Sequence, residues 1–190
     1  KITKGEDGES INIKLELRSL ADVGLVGFPN AGKSTFLNTV SSAKPKIADY
    51  PFTTLRPHLG TIKYSDNSFV IADIPGIIEG ASDGHGLGIK FLKHISRTGI
   101  LLFFLEAFSE ISVQDQFLKL KKELGDFSEK LLEKEFYIVV TKIDLIDEET
   151  RLKTLNTFNA KEFTNVFGIS SVTGEGVQEL LDDISRKIFI

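Results

Sequence analysis

The chain alternates between short runs that are apolar throughout and longer stretches whose apolar residues recur every three or four positions. Val23-Gly24-Leu25-Val26, Phe69-Val70-Ile71-Ala72, residues 100–105 and Phe136-Tyr137-Ile138-Val139-Val140 are continuous apolar runs of strand length. A strand covered on both faces has this pattern, because no alternate side chain is left for water. Strands are predicted near 22–27, 58–64, 68–72, 100–105, 136–140 and 163–169, and helices near 33–42, 88–97, 112–124, 148–158 and 175–188. The alternation of the two predicts a three-layer α/β fold, with helices on both faces of a mostly parallel six-stranded sheet. One strand is expected to run antiparallel. Lys63-Tyr64-Ser65-Asp66-Asn67-Ser68 is rich in turn formers, so the strands on either side of it should pair as a hairpin. In such a sheet a ligand binds at the carboxyl ends of the strands.

The first predicted strand runs into Gly27-Phe28-Pro29-Asn30-Ala31-Gly32-Lys33-Ser34, a full match to the phosphate-binding loop G-x-x-x-x-G-K-[ST]. A helix-like stretch beginning with Thr35 follows it, which is the strand–loop–helix context the motif requires. Successive backbone N–H groups can wrap a phosphate where glycine leaves room, and the helix start turns its positive end to the anion. Lys33 can reach the β- and γ-phosphates, and the Ser34 hydroxyl can ligate Mg²⁺. The loop specifies a nucleoside triphosphate and leaves the base open.

The base is addressed by Thr141-Lys142-Ile143-Asp144, at the tip of a later apolar strand. A carboxylate there can accept two parallel hydrogen bonds from guanine's ring N–H and exocyclic amine. Adenine has no such donor pair. The aliphatic stem of Lys142 can lie over the base. Between the two sites stands Asp73-Ile74-Pro75-Gly76, again at a strand end. Asp73 can hold Mg²⁺, and the Gly76 N–H can approach the γ-phosphate. Upstream, Tyr50-Pro51-Phe52-Thr53-Thr54 offers a hydroxyl to the other side of the metal, with only one of the two threonines facing it in an extended segment. Near the carboxyl end, a backbone N–H within Ser170-Ser171-Val172 can cap guanine's O6.

In these segments the chain resembles the GTP-binding domain of translation-factor-class GTPases, and within them the Obg family. The resemblance rests on G-F-P-N-A-G-K-S, on the block from Ser41 through Lys44-Pro45-Lys46-Ile47-Ala48-Asp49-Tyr50 to Leu55, on Asp73 to Ala81, and on the glycine-spaced Gly84-His85-Gly86-Leu87-Gly88. It covers nearly all 190 residues. It implies a Ras-like fold and a Mg²⁺-dependent GTP-hydrolysing switch, with Mg²⁺ on Ser34 and Thr54. It makes Phe52, Thr53, Thr54, Leu55 and Arg56 part of the nucleotide-contacting switch, and it implies a role in assembly of the large ribosomal subunit. The chain departs from the family at Thr141, where asparagine is usual; threonine keeps a donor and an acceptor on a shorter side chain. Arg56 and His58 are also unusual in their places.

The expected site therefore has Lys33, Thr54, Gly76 and Asn30 in catalysis and Ser34, Thr54 and Asp73 on the metal. Nucleotide contacts come from Gly27 to Thr35, Phe52 to Arg56, Asp73 to Gly76, Thr141 to Asp144 and Ser170 to Val172. In Ras-like enzymes a glutamine after D-x-x-G orients the attacking water. Ile77 stands there and cannot hydrogen-bond, so intrinsic turnover should be slow. Asn30, at the fourth place of the loop, either ligates a potassium ion that supplies transition-state charge or only stabilises the turn. Two other classes stay open: an ATP-using P-loop enzyme, which Asp144 opposes, and a nucleotide-gated binding module with negligible turnover.

Composition narrows the setting. The chain is 41% hydrophobic and 26% charged with a net charge of −4, so no basic field holds nucleic acid unspecifically. No cysteine is present, which fits a cytoplasmic protein; there is no signal peptide pattern, and the longest apolar run is too short to cross a bilayer. A monomer that binds GTP and GDP is expected. The lysine at the start and the lack of methionine fit an excised piece of a longer protein. Residues 1–18 differ in kind: Ile11-Asn12-Ile13-Lys14-Leu15-Glu16-Leu17 alternates apolar and polar after a polar, turn-like start. The resemblance makes this segment the end of an amino-terminal Obg domain and 19–190 the nucleotide domain; the alternatives are a seventh strand or no order. His58, His85 and His94 are not spaced as a metal cluster. Phe91, Phe103, Phe104, Phe117 and Phe136 fit core positions, and Lys119, Lys121 and Lys122 fit a solvated helix face.

Overall fold

In the computed structural model the described residues are 21–47, 57–73, 98–159 and 163–189. They form seven strands: β1 (Val23–Gly27), β2 (Lys46–Ile47), β3 (His58–Tyr64), β4 (Asn67–Asp73), β5 (Ile100–Glu106), β6 (Glu135–Thr141) and β7 (Val166–Ile169). The helices among these residues are α1 (Lys33–Val40), α2 (Val113–Phe127), α3 (Glu129–Leu132), α4 (Glu148–Asn159) and α5 (Val177–Phe189). The sheet order is β2-β3-β4-β1-β5-β6-β7. β1 pairs in parallel with β4 on one side and β5 on the other, β5 with β6, and β6 with β7. Only β3 runs against the rest, antiparallel to both β4 and β2. The hairpin expected across Lys63–Ser68 is therefore present, with Ser65 at its turn in the left-handed region (φ 51°).

Sidedness follows from strand alternation. On β5, Ile100, Leu102 and Phe104 face α1 and α5, where they meet Phe36, Leu37, Leu180 and Ile184. Leu101, Phe103 and Leu105 face the other way, against Val113, Phe117, Leu120 and Leu124 of α2 and Phe158 of α4. A strand buried on both sides has no polar position until Glu106, which explains its unbroken apolar run. Phe36 and Phe104 are fully buried, with ring centroids 5.2 Å apart in an edge-to-face contact. Burial of one such ring contributes about 1.5–3 kcal/mol. Phe103 and Phe117 are buried as expected and Phe136 is half-buried against the same cluster; Phe91 lies outside the described residues.

Four differences from the expected elements have local causes. The sheet has a seventh strand, because Lys46–Ile47 add two exposed residues to the edge beside His58 and Leu59. Helix α1 ends at Val40, where the Ser41 hydroxyl donates to the Leu37 carbonyl (2.5 Å) and the Ser42 N–H turns to the Thr61 carbonyl of β3 (2.9 Å). Residues 163–165 do not join β7; Phe163 instead packs on Phe117, Phe136 and Phe158. Helix α2 runs on to Phe127 from its cap at Ser112, whose hydroxyl accepts the Asp115 N–H at 3.1 Å. The helix expected at 88–97, and residues 1–18, lie outside the described residues. Among the described residues no helix is long and apolar enough to cross a membrane, and no cluster of three or more His, Asp or Glu could hold a metal.

Candidate functional site

The parallel strands bring their carboxyl ends to one edge, and the chain crosses from β4 to β5 on opposite sides of β1. The loop after β1 thus lies at the point where the strand order reverses. Gly27 has to be glycine because a Cβ there would lie 2.7 Å from the Phe104 carbonyl oxygen. Asn30 (φ 63°) and Gly32 (φ 91°) take the left-handed region, which asparagine and glycine tolerate best. Between them Ala31 is buried, and its N–H reaches the Phe28 carbonyl at 3.2 Å. Phe28 packs against the core, while Pro29, Asn30, Ser34 and Thr35 are exposed. No side chain caps the start of α1 at Gly32, so its first N–H groups are left for an anion.

The Lys33 ammonium donates to the carbonyls of Gly27 (2.7 Å) and Phe28 (2.8 Å). Two of its three N–H bonds therefore hold the loop closed and the third is left for a phosphate oxygen. Burial pulls this lysine below its ordinary pKa, and the nearby Asp73 charge opposes that. Ser34 Oγ donates to Asp73 Oδ2 at 2.5 Å, across 39 residues of sequence. Asp73 is 3% exposed, and its other oxygen, Oδ1, is buried without a hydrogen-bond partner. A buried carboxylate oxygen needs a partner. A hard divalent cation shared with the Ser34 hydroxyl meets that need with oxygen donors of the right kind, so these residues fit Mg²⁺. His58, which the sequence leaves without an account, stands opposite Asp73 in the β3–β4 register.

Of the segments expected to read the base, the one at the end of β6 meets the same loop. Thr141 is buried at the end of β6, and its hydroxyl lies 2.9 Å from the Ala31 carbonyl and 3.3 Å from that of Leu105. One O–H donates fully to one acceptor at a time, and the shorter contact is the one to the phosphate loop. Threonine in place of asparagine therefore still joins the two loops. Lys142 follows in the left-handed region (φ 59°), with its ammonium 2.5 Å from Glu106 Oε1. Ile143 is buried, and Asp144 is exposed on a single 3₁₀ turn, Ile143–Leu145. No side-chain hydrogen bond holds the Asp144 carboxylate among the described residues, so its oxygens are open to a base edge. After β7, Ser170 is buried and its hydroxyl accepts the Thr173 N–H at 3.1 Å. The Thr39 hydroxyl of α1 lies 3.0 Å from the Thr35 carbonyl within its own helix and 3.2 Å from that of Ser171, and Val172 is 82% exposed beside them.

Phe52, Thr53, Thr54, Leu55, Arg56, Ile74, Pro75, Gly76 and Ile77 lie outside the described residues. Glu106, Gln116 and Thr39 were missed in the sequence. A lone acid closing the run Ile-Leu-Leu-Phe-Phe-Leu was a signal for the first. A glutamine on the apolar face of Val113, Phe117, Leu120 and Leu124 was a signal for the second. Thr39 carries no comparable mark.

Residues 22–142 match the family model described as 50S ribosome-binding GTPase. The chain belongs to this GTPase family. Within it the similarity is to GTPase Obg. That of Chloroherpeton thalassium is 54% identical over 182 residues, covering 95% of the chain and 53% of the relative; that of Pelodictyon phaeoclathratiforme is 50% identical over 185 residues, covering 97% and 53%. The chain thus spans about half the length of these Obg relatives. Among solved structures, a point variant of Aquifex aeolicus Era bound to GDP·AlF₄⁻ superposes with a TM-score of 0.66 at 25% identity, over 87% of this chain and 56% of that one. The cytosolic domain of the T. maritima FeoB iron transporter in a GDP form gives 0.59 at 27% identity, over 87% and 62%. The GTPase domain has the mixed, mostly parallel sheet that the sequence led one to expect.

Proposed function

We propose that this GTPase domain binds guanine nucleotides at the edge formed by the loop after β1, Asp73, Thr141–Asp144 and Ser170–Val172, and hydrolyses GTP there as the switch of an Obg protein. The observation that carries the reading is the Thr141 hydroxyl bond to Ala31, which ties the open Asp144 carboxylate to the phosphate loop. Lys33 neutralises phosphate charge while keeping the loop closed. Asp144 takes the two donors of guanine, Ser170–Val172 offers a backbone N–H to O6, and the Lys142 stem covers the ring. Ser34 and Asp73, with Thr54, would hold Mg²⁺, which supplies charge neutralisation at the phosphate oxygens. Thr54 and Gly76 are the parts expected to order with the γ-phosphate and release without it. Potassium beside Asn30 is a further element of this reading; the side chain has no hydrogen bond among the described residues to occupy it.

At the level of the whole protein, the similarity to Obg proteins and the family description support a cytoplasmic role in assembly of the large ribosomal subunit. Four measurements test the reading. Turnover of GTP should resist competition by ATP, and Lys33→Ala and Ser34→Ala should abolish it with circular dichroism unchanged; normal turnover by either variant would sink the site. Single-turnover hydrolysis separates an enzyme from a binding module. The intact protein should co-sediment with large ribosomal subunits in GTP and not in GDP.

A further inference from the structure

Lys142 links β6, whose Thr141 reaches the loop after β1, to the turn that carries Asp144. Its carbonyl accepts the Leu145 N–H at 3.0 Å, which closes that turn, and its backbone sits at φ 59° and ψ 36°, a conformation lysine rarely takes. A residue in that position needs something to hold it, and the contact on its side chain is Glu106. The two charges meet at 2.5 Å, with side chains 32% and 21% exposed. They are neither freely solvated, where such a pair would be loose, nor fully buried, where desolvation would cancel it.

Glu106 is itself fixed. It ends β5 directly opposite Thr141 in the β5–β6 register. Its backbone is gripped from both sides by Gln116 of α2, a side chain only 2% exposed. Gln116 Oε1 accepts the Glu106 N–H at 2.9 Å, and Nε2 donates to the carbonyls of Glu106 (2.9 Å) and Ile111 (2.8 Å). A buried glutamine with three such bonds is a rigid clamp, since breaking any of them strands a polar group away from water. The chain of contacts thus runs from α2 through Glu106 to Lys142 and on to the turn bearing Asp144.

We propose that Glu106 is a positioning residue for base recognition: its carboxylate, carried on a backbone that Gln116 fixes, holds Lys142 ready so that guanine meets an ordered lysine stem and a closed Asp144 turn. This rests on Asp144 being the acceptor for the guanine edge. Ordering a long flexible side chain at the moment of binding costs affinity, and holding it beforehand removes that cost, worth about two- to tenfold per side chain. The pair acts on binding and not on the γ-phosphate, so turnover at saturating GTP is unaffected by it.

The test is a double-mutant cycle on affinity for a fluorescent GDP analogue, with Asp144→Asn as a separate arm. Glu106→Gln should weaken binding by about two- to tenfold, with the single-turnover rate at saturating GTP unchanged. Glu106→Asp should stay within about twofold of the parent, because the lysine's four methylenes can follow the shorter acid. Lys142→Met keeps the stem and loses the pair; in that background Glu106→Gln should cost nothing further. If Asp144→Asn weakens binding but Glu106→Gln does not, or if the two members of the pair act independently, the positioning role is overturned while the base site stands. If Asp144→Asn leaves binding unchanged, the base site falls and the proposal with it. A merely structural pair would lower the melting temperature and leave the affinities where they were.

Discussion

The two ends of the site are held in opposite ways. At the phosphate end the reactive groups are engaged with one another: Lys33 with the Gly27 and Phe28 carbonyls, and Ser34 with Asp73. At the base end the supporting residues carry the bonds, Thr141 on Ala31 and Glu106 on Lys142, and the Asp144 carboxylate is left open. A guanine edge can therefore dock on Asp144 without displacing a partner. A phosphate and its metal have to redistribute bonds that the loop already makes. On the proposed reading, base choice is built in advance, and the phosphate end is where nucleotide state would change the protein. That division suits a switch, which should hold GDP and GTP by the same handle and tell them apart elsewhere.

The largest expected effect is at the phosphate end. Lys33→Ala removes both loop bonds and the phosphate's counter-charge, and turnover should drop by about 10²–10³ or more, as for the loss of a preorganised charge-stabilising donor. GDP should still be recognised over ADP, because the Asp144 turn does not touch Lys33. A variant that loses base preference together with turnover would erase the distinction between the two ends.

The next effect should come from potassium. The isoleucine side chain at 77 cannot hydrogen-bond to water, so on the proposed reading charge from another source would assist. Turnover measured in matched chloride salts should be several-fold faster in K⁺ than in Na⁺, and Asn30→Ala should remove the difference. Equal rates for the parent would turn attention to a protein activator, and Asn30 would then serve only its left-handed turn position at φ 63°.

Smaller effects should come from the joint between the ends. Thr141→Val keeps the shape and loses the hydroxyl that reaches Ala31. Leaving that carbonyl short of a donor costs about 1 kcal/mol, or roughly fivefold. GDP affinity and turnover should fall together, since this contact serves both halves. A loss confined to one of them would place Thr141 on that side alone. Thr141→Asn, the residue usual in the family, should restore both.

Sequence and structure agree most where one residue type has one job. The glycine at 27, pressed against Phe104, and the lysine and serine after it could be read directly, because few other uses explain that spacing. Asp73 could be read as a metal-side acid, and its unpartnered buried oxygen bears on that reading in a way no spacing could. The strands of the sheet centre were legible since residues buried on both faces admit no polar interruption. The edge was not. Lys46–Ile47 are both exposed, so they carry no periodicity and join the sheet only through backbone bonds to β3. Residues 163–165 look like strand by composition, yet Phe163 goes to an aromatic cluster drawn from three other elements. The Glu106–Lys142 contact was hidden for a related reason: it joins residues 36 apart whose meeting depends on the β5–β6 register.

An Asp144 carboxylate that reads guanine should respond to an exchange of the base. Xanthine replaces guanine's exocyclic amine with a carbonyl. Asparagine at 144 can donate to that carbonyl and accept from the ring N–H, whereas aspartate can only accept. Affinities for GDP and xanthosine diphosphate should be measured for the parent and for Asp144→Asn. A crossing is expected: GDP weakened by about 2–3 kcal/mol in the variant, xanthosine diphosphate strengthened, and the order of preference reversed. If both proteins prefer GDP to the same degree, Asp144 does not read the base.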